Sequence, residues 1–411
     1  MAGETWPRVR LETIAATDRK GFAMGPFGSN IKSENYQPSG VPVLRGVNLG
    51  DGAFSGGDLV FLSEEKAEEL KNSQAFPDDL VFVAQGTVGR VALVPNIPRF
   101  QKTVLSQNLM KFSCDSAKAD SRFLYYFFIS SDGQQTIRSR VNPTGVPCIS
   151  RPLSSLKEFE VTLPPLAEQK AIAAVLGALD EKIELNRRMN ATLEAMARAL
   201  FQSWFVDAAA DGLPKGWRVG TIGDVAENAR RGINPDQMKP ASAYIGLEHM
   251  PRRSIALSEW GHAGKLESNK FEFRRGEILF GKLRAYFHKV GVAPVDGVCS
   301  TDILVVRPKK PEWFGFVLGH VSSVELVSHT DAASTGTKMP RTNWNDIARF
   351  EAALPPESLA AKFTELIRPM IDRMIANIHQ SRTLATLRDT LLPKLLSGEL
   401  SVAAVGGEEA A

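Results

Sequence analysis

The stretch GEILFGKL at 276–283 matches the first seven places of a phosphate-binding G-x-x-x-x-G-K motif, where backbone N–H groups cradle phosphates and a lysine reaches over them. The next place holds Leu283, where a serine or threonine would ligate magnesium, and the intervening EILF reads as an apolar strand rather than a loop of free N–H groups. Nucleotide binding is therefore not expected. A DNA adenine methyltransferase needs a glycine-rich cofactor turn after a strand and an Asn/Asp-Pro-Pro-aromatic tetrad to hold a flipped base; the nearest sequence, NPTG at 142–145, lacks the second proline and the aromatic. For nuclease chemistry, PDQMK at 235–239 offers one carboxylate and a lysine without a second acid at useful spacing. His249, His262, His288, His320, His329 and His379 form no pair at metal-ligand spacing with one another or with cysteine, and none has a serine or cysteine nucleophile beside it. No cofactor, metal or catalytic residue is expected.

What remains are side chains able to touch bases and phosphates. Lys282, Arg284, Tyr286 and Lys289 alternate along LFGKLRAYFHK, and at a strand period of two they share one face, either a solvated sheet surface or a DNA contact. The equivalent stretch earlier in the chain, VAQGTVGR, offers Gln85, Thr87 and Arg90. Glutamine pairs bidentately with adenine and arginine with guanine, so the two loops would favour different bases. Lys32, Arg45, Asn48, Arg230, Arg231, Lys338 and Arg341 complete the candidates, roughly half of which should meet phosphate rather than bases. The glycine-rich GPFGSN at 25–30 reads as a turn close to a DNA backbone.

These residues are carried by a chain of 411 residues, long enough for two or more domains. With 43% hydrophobic and 23% charged residues the composition is that of a soluble globular protein, and the apolar runs are far shorter than the roughly 20 residues a bilayer requires. The start, MAGETWPRVR, has no signal-peptide core, and three widely spaced cysteines (Cys114, Cys148, Cys299) suit a reducing cytoplasm. The net charge of +3 is a weak hint of a polyanionic partner, and it is unevenly placed: Lys+Arg 18 against Asp+Glu 17 over 1–160, but 20 against 15 over 212–353.

The chain repeats itself. FEVTLPPLAE at 159–168 returns as FEAALPPESL at 350–359, and Thr144-Gly145 returns at the same offset as Thr335-Gly336. Each half opens on a tryptophan-led segment (WPRVRLETIA, WRVGTIGDVA). Each then runs an apolar strand into a loop (DDLVFVAQGTVGRVALVP, GEILFGKLRAYFHKVGVAP) and follows it with a second strand (VLSQNLMKF, VCSTDILVVRP). Proline is excluded from helix interiors but welcome just before a start, so each Leu-Pro-Pro predicts the end of a strand and the beginning of a long helix. Heptad spacing places Ile172, Leu176, Leu179, Ile183, Asn186, Leu193 and Leu200 on one seam, and Phe363, Ile367, Met370, Met374, Asn377, Leu384 and Leu391 on its counterpart. A helix with such a stripe needs a partner, and the second copy is the obvious one. The expected fold is α+β: two mixed α/β domains, each followed by a long helix, with the two helices pairing as an antiparallel coiled coil in a pseudo-two-fold tandem repeat. The expected boundaries are 1–162 and 211–353 for the globules, 163–210 and 354–402 for the helical regions, and 403–411 for a flexible tail.

The run LPPLAEQKAIAAVLGALDEKIELNRRMNATLEAMARALFQSWF resembles the central repeat of the DNA specificity subunit of Type I restriction-modification enzymes. So do GPFGSNIKSENYQPSGVPVLRGVNL, GDVAE, YIGLEHM, GEILFGKLRAYFHKVGVAPVDGVCSTDILVVRP and LRDTLLPKLLSGEL, and the likeness covers nearly the whole chain. The resemblance implies two target recognition domains, each reading one half of a split, asymmetric site in double-stranded DNA, with the helices acting as a spacer. It also implies two methyltransferase subunits and separate motor-nuclease subunits as partners, with no chemistry on this subunit and no membrane. Two other readings stand beside it. One is a self-sufficient methyltransferase or nuclease, which binding of S-adenosylmethionine by the isolated chain would support. The other is a coiled-coil scaffold for proteins, which absence of salt-dependent DNA affinity in the assembled complex would favour.

Overall fold

A computed structural model describes residues 6–26, 28–49, 59–96, 100–142, 145–264, 266–334 and 339–402. The chain divides into two compact units, Met1–Asp180 with Thr386–Ala411, and Glu181–Ala385. The first unit is thus discontinuous, its globule completed by the last helical turns of the chain.

In the first unit the strands Phe22–Met24, Leu109–Phe112, Leu80–Val83 and Val91–Leu93 form an antiparallel sheet in that spatial order. A second sheet takes Val60–Leu62, Val41–Leu44, Thr103–Leu105 and Gln74–Ala75, with Val41–Leu44 and Thr103–Leu105 parallel. The first sheet's strands Leu80–Val83 and Leu109–Phe112 are buried on both faces, which is why LVFV and LMKF carry no polar alternation except at Lys111. Lys111 Nζ is held 2.9 Å from Asp79 Oδ2 and 2.6 Å from Ser113 Oγ, with Arg19 3.2 Å from Asp79 Oδ1. Burial pushes the Lys111 ammonium below its ordinary range, and Asp79 opposes that push. Helices Ser121–Ile129 and Ser131–Arg138 start at side-chain caps, Asp120 accepting from Phe123 N at 2.9 Å and Ser130 from Gly133 N at 3.4 Å.

The second unit repeats this plan. Ala226–Asn228, Ile303–Pro308, Ile278–Gly281 and Val290–Val292 form the antiparallel sheet. A five-stranded sheet takes Gly261–His262, Ala243–Ile245, Gly297–Cys299 and Lys270–Phe273 in the order of their first-unit counterparts, and adds Gly232–Ile233 at one edge. In both units a two-stranded ladder ties the opening segment to the strand before Leu-Pro-Pro: Arg8–Arg10 to Glu160–Thr162, and Arg218–Thr221 to Glu351–Leu354. The internal repeat is a repeat of topology.

Two strand expectations are corrected. VLSQNLMKF and VCSTDILVVRP are each two strands, and in each unit the two belong to different sheets. At the first break Gly25 backs directly onto Ser106; a Cβ on Gly25 would lie 1.8 Å from the Ser106 carbonyl oxygen, so only glycine admits the crossing.

Leu-Pro-Pro ends a strand and precedes a helix in both units: the central helix Leu166–Phe201 and the C-terminal helix Glu357–Leu396. They pair antiparallel. In the first unit Ile172 and Leu176 pack with Leu392 and Leu395, and Arg388 Nη1 lies 2.7 Å from Asp180 Oδ1, whose other oxygen accepts from Tyr126 OH at 2.7 Å. In the second unit Asn186 Nδ2 donates to Ser381 Oγ at 3.2 Å and to Gln380 Oε1 at 3.0 Å, while Asn377 Nδ2 donates to Asn190 Oδ1 at 2.9 Å. Further along, Phe201, Trp204 and Phe205 close around Phe363.

The seam is broader than a strict heptad. Ile172, Leu176, Asn186, Phe363, Ile367, Met374 and Asn377 are buried, whereas Leu179, Ile183, Leu193, Leu200, Met370, Leu384 and Leu391 are only half-buried. Asn190, Ala197, Phe201, Ile371, Ile375 and Leu395 are the more deeply covered neighbours. A straight helix drifts about 20° per heptad from a 3.5 repeat, so the buried stripe does not stay on strict heptad positions.

No helix among the described residues is long and apolar enough to cross a membrane.

His320 is wedged between Phe201 and Phe316, ring centroids 4.9 and 4.5 Å away, and burial pushes its imidazole down to about 4 from 6.5. Between those values the unfolded chain holds a proton that the folded one does not, so the second unit should lose stability as pH falls from 6.5 to 4, by at most roughly 1.4 kcal/mol per pH unit. Denaturant midpoints of the chain and of His320→Leu, followed across that window, check this. An equally steep fall in the variant removes His320 as the cause.

Candidate nucleic-acid interface

In the first unit the turn between Leu80–Val83 and Val91–Leu93 carries Gln85, Thr87 and Arg90, all exposed. Gly86 and Gly89 take φ of 91° and 103°, and Gly86 N donates to Pro147 O at 2.9 Å, which fixes the turn against the neighbouring hairpin. Arg90 Nη1 reaches the Leu49 carbonyl at 3.3 Å, and Thr87 and Arg90 line a groove with Arg138 and Arg388. Lys32 is exposed and 3.4 Å from Glu34. Arg45 is half-buried, while Asn48 is fully buried and its Oδ1 accepts from Arg45 N at 3.0 Å. Asn48 therefore shapes the turn that presents Arg45 and does not face outward.

In the second unit the expected strand face of Lys282, Arg284, Tyr286 and Lys289 does not form. The strand stops at Gly281, Arg284 and His288 take left-handed φ of 52°, and Ala285–Phe287 makes a single tight turn between them. Period-two alternation needs extended backbone, and two left-handed residues abolish it. Tyr286 is 50% exposed. Lys282 is half-buried, with its backbone tied to Asp302 O at 2.9 Å and to Thr342 N at 3.0 Å. Lys289 Nζ donates to the Leu247 carbonyl and is turned inward; burial first, then the Arg252 charge, lowers its pKa.

Arg230 is exposed, but Arg231 is half-buried, paired with Glu277 and bonded to Glu272 O at 3.3 Å, so its side chain is taken up within the unit. Arg341 Nε lies 3.0 Å from Asp302 Oδ1. Lys338, and the repeated Thr144 and Thr335-Gly336, lie outside the described residues. The exposed Arg252 and Arg253 meet the turn at 284–288, Arg252 over the Phe287 ring and Arg253 through its N–H to His288 O.

Sequence reasoning missed Arg252. Its guanidinium sits 4.0 Å from the centroid of Phe287, whose ring meets Tyr286 at 4.6 Å. The signal was the Arg-Arg pair after Pro251, but its aromatic partner is far along the chain.

Chemically, both turns present amide, hydroxyl, guanidinium and phenol groups in rigid frames. Among the described residues no group of three or more His, Cys, Asp or Glu side chains is placed to hold a metal ion.

The family model described as the Type I restriction modification DNA specificity domain matches residues 27–195. Among curated proteins, the Type I restriction enzyme MjaIX specificity subunit of Methanocaldococcus jannaschii is 26% identical over 307 residues, 69% of each chain. The HindI specificity subunit of Haemophilus influenzae is 23% identical over 470 residues, 93% of this chain and 100% of that one. The EcoDI specificity subunit of Escherichia coli is 23% identical over 414 residues, 86% and 88% of the two. Among solved structures, the S subunit of a Type I restriction-modification system from M. genitalium superposes with a TM-score of 0.56 at 15% identity, covering 96% of both chains.

Proposed function

The chain belongs to the family of Type I restriction-modification specificity subunits, and from that premise we propose that it reads a bipartite, asymmetric site in double-stranded DNA, one half-site per unit. In this reading residues 1–162 and 211–353 are the recognition domains, and residues 163–210 and 354–402 are the helical regions that join them. The subunit performs no chemistry. Two methyltransferase subunits methylate adenine at the site it selects, motor-nuclease subunits of the same system restrict DNA there, and the complex works in the cytoplasm.

One observation carries the reading: two globules of the same topology place different side chains on the same inter-strand turn, Gln85, Thr87 and Arg90 in one and Arg284 and Tyr286 in the other. A repeat built for stability alone has no need to diverge there, whereas two readers of unlike half-sites do.

Replacing residues 5–158 with the counterpart from a relative should change one half of the methylated sequence and leave the other intact. Mapping methyladenine made by the hybrid with its partner subunits checks this. A change in both halves would mean that the units form one fused recognition surface, and robust methylation by the isolated chain with S-adenosylmethionine would make it an enzyme.

A further inference from the structure

We propose that Val146 and Met339 are specificity-determining residues, one in each unit, each seating its side chain on the 5-methyl group of a thymine in the major groove of double-stranded DNA. The inference rests on the reading of this chain as a DNA specificity subunit.

In each unit a short segment runs against the entry to the inter-strand turn, and the two segments are built alike. Gly86 N donates to Pro147 O at 2.9 Å, and Arg284 N donates to Pro340 O at 2.8 Å. Directly after each proline, Cys148 bridges Gln85 and Arg341 bridges Leu283, both antiparallel. Directly before it stands Val146 in the first unit and Met339 in the second. Proline confines the residue ahead of it to extended backbone, so neither segment is free to turn that side chain away.

Both side chains are large, apolar and outside: Val146 is 60% exposed and Met339 48%. One exposed apolar residue is ordinary on a protein surface. Here two diverged copies keep one at the same place, while the residues around it have changed. At the bridge Gln85 in one unit answers to Leu283 in the other, and Cys148 to Arg341. The tight turns Gly46–Asn48 and Leu247–His249, whose backbones are capped alike by Asn48 Oδ1 and His249 Nδ1, hold Val47 in one unit and Glu248 in the other. A place that stays apolar while its neighbours diverge points to a ligand feature that both half-sites share.

The chemistry of base edges names that feature. In the major groove every group on a base edge is a donor or an acceptor except the thymine 5-methyl, so it is the one group an apolar side chain can select. Val146 precedes by two residues the Cys148 that bridges Gln85, and the exposed amide of Gln85 suits adenine N6 and N7. Amide and valine together match the two kinds of group that A·T pairs present. Met339 holds the same place beside the turn Ala285–Phe287, where its unbranched, adaptable side chain serves the same contact.

The test uses the chain assembled with its methyltransferase subunits. Methyladenine mapping defines both half-sites, and duplexes are then made with one thymine at a time replaced by deoxyuridine, which pairs identically but lacks the methyl group. Competition binding gives the ratio of affinities for the thymine and uracil duplexes. With the unaltered chain a thymine in each half-site should show a ratio of roughly three to five, the worth of one buried methyl group. Val146→Ala should abolish the difference in the first half-site and keep it in the second, and Met339→Ala should do the reverse. Val219→Ala, which trims a valine 65% exposed on the ladder strand Arg218–Thr221, should change neither. Each protein is compared with itself on two duplexes, so a loss of folded chain does not imitate the result.

The proposal is overturned if either half-site has no thymine that responds to loss of its methyl group, or if the ratio survives in either alanine variant. It is overturned equally if the variants instead fail to hold the methyltransferase subunits, since the side chains then meet protein. Absence of sequence-specific methylation with the unaltered chain is a different result: it overturns the specificity-subunit reading, and this proposal with it.

Discussion

Phe363→Ala is expected to destabilise the second unit by roughly 3–5 kcal/mol, the range for emptying an aromatic site in a close-packed core. Phe363 is fully buried, with ring centroids of Phe205 and Trp204 at 4.8 and 5.5 Å, and a Cβ on Gly315 would come within 2.7 Å of its ring. The ring joins the C-terminal helix to the central helix and to the helix Phe314–Val321 at once, so its loss is felt by all three. Denaturant unfolding should show the loss in the second unit's transition, with Phe363→Leu recovering part of it. A loss below about 1 kcal/mol would mean that the ring is not the anchor.

Asp79→Ala should do comparable damage to the first unit by a different route. Asp79 and Lys111 are both fully buried, and removing the carboxylate leaves an ammonium without its counter-charge, an effect of roughly 3–5 kcal/mol. The ammonium's remaining close partner is Ser113 Oγ at 2.6 Å, a neutral group. Replacing Lys111 by methionine in the same chain removes the orphaned charge, so the double variant should be more stable than Asp79→Ala alone. Simple additivity of the two changes would show that they do not act on one another. Bound to its partners, the Asp79→Ala chain should lose the first half-site before the second.

The helices were legible in the sequence because their signals are local: a proline pair ahead of each, long runs broken only by Gly177 in the first and by Pro369 and Pro393 in the second, and a stripe that recurs with Asn186 and Asn377 in step. The turns were not. Nothing in KLRAYFHK announces a left-handed residue, because the usual marker is glycine and the positions hold arginine and histidine. The first unit's turn, with glycine at both places, was correctly read as a loop. Burial of candidate readers was hidden for a related reason. Asn48 is fully buried, Arg231 meets Glu277 from 46 residues away, and Lys289 finds the carbonyl of Leu247, and such burial and long-range contacts exist only after folding. Charge marks a residue as able to meet DNA; topology decides whether it faces outward.

The discontinuity of the first unit has a consequence for synthesis. Ile172 and Leu176 emerge from the ribosome early, yet Leu392 and Leu395, which cover them, come only after residues 181–385 have been made. At roughly 5–20 residues per second that is a wait of roughly 10–40 s. The second unit holds both stretches of its paired helices within 181–385, so it can close while the N-terminal globule still lacks its last turns. Folding order is thus the reverse of translation order, and a nascent chain stalled before residue 386 would carry a finished second reader and an unfinished first one.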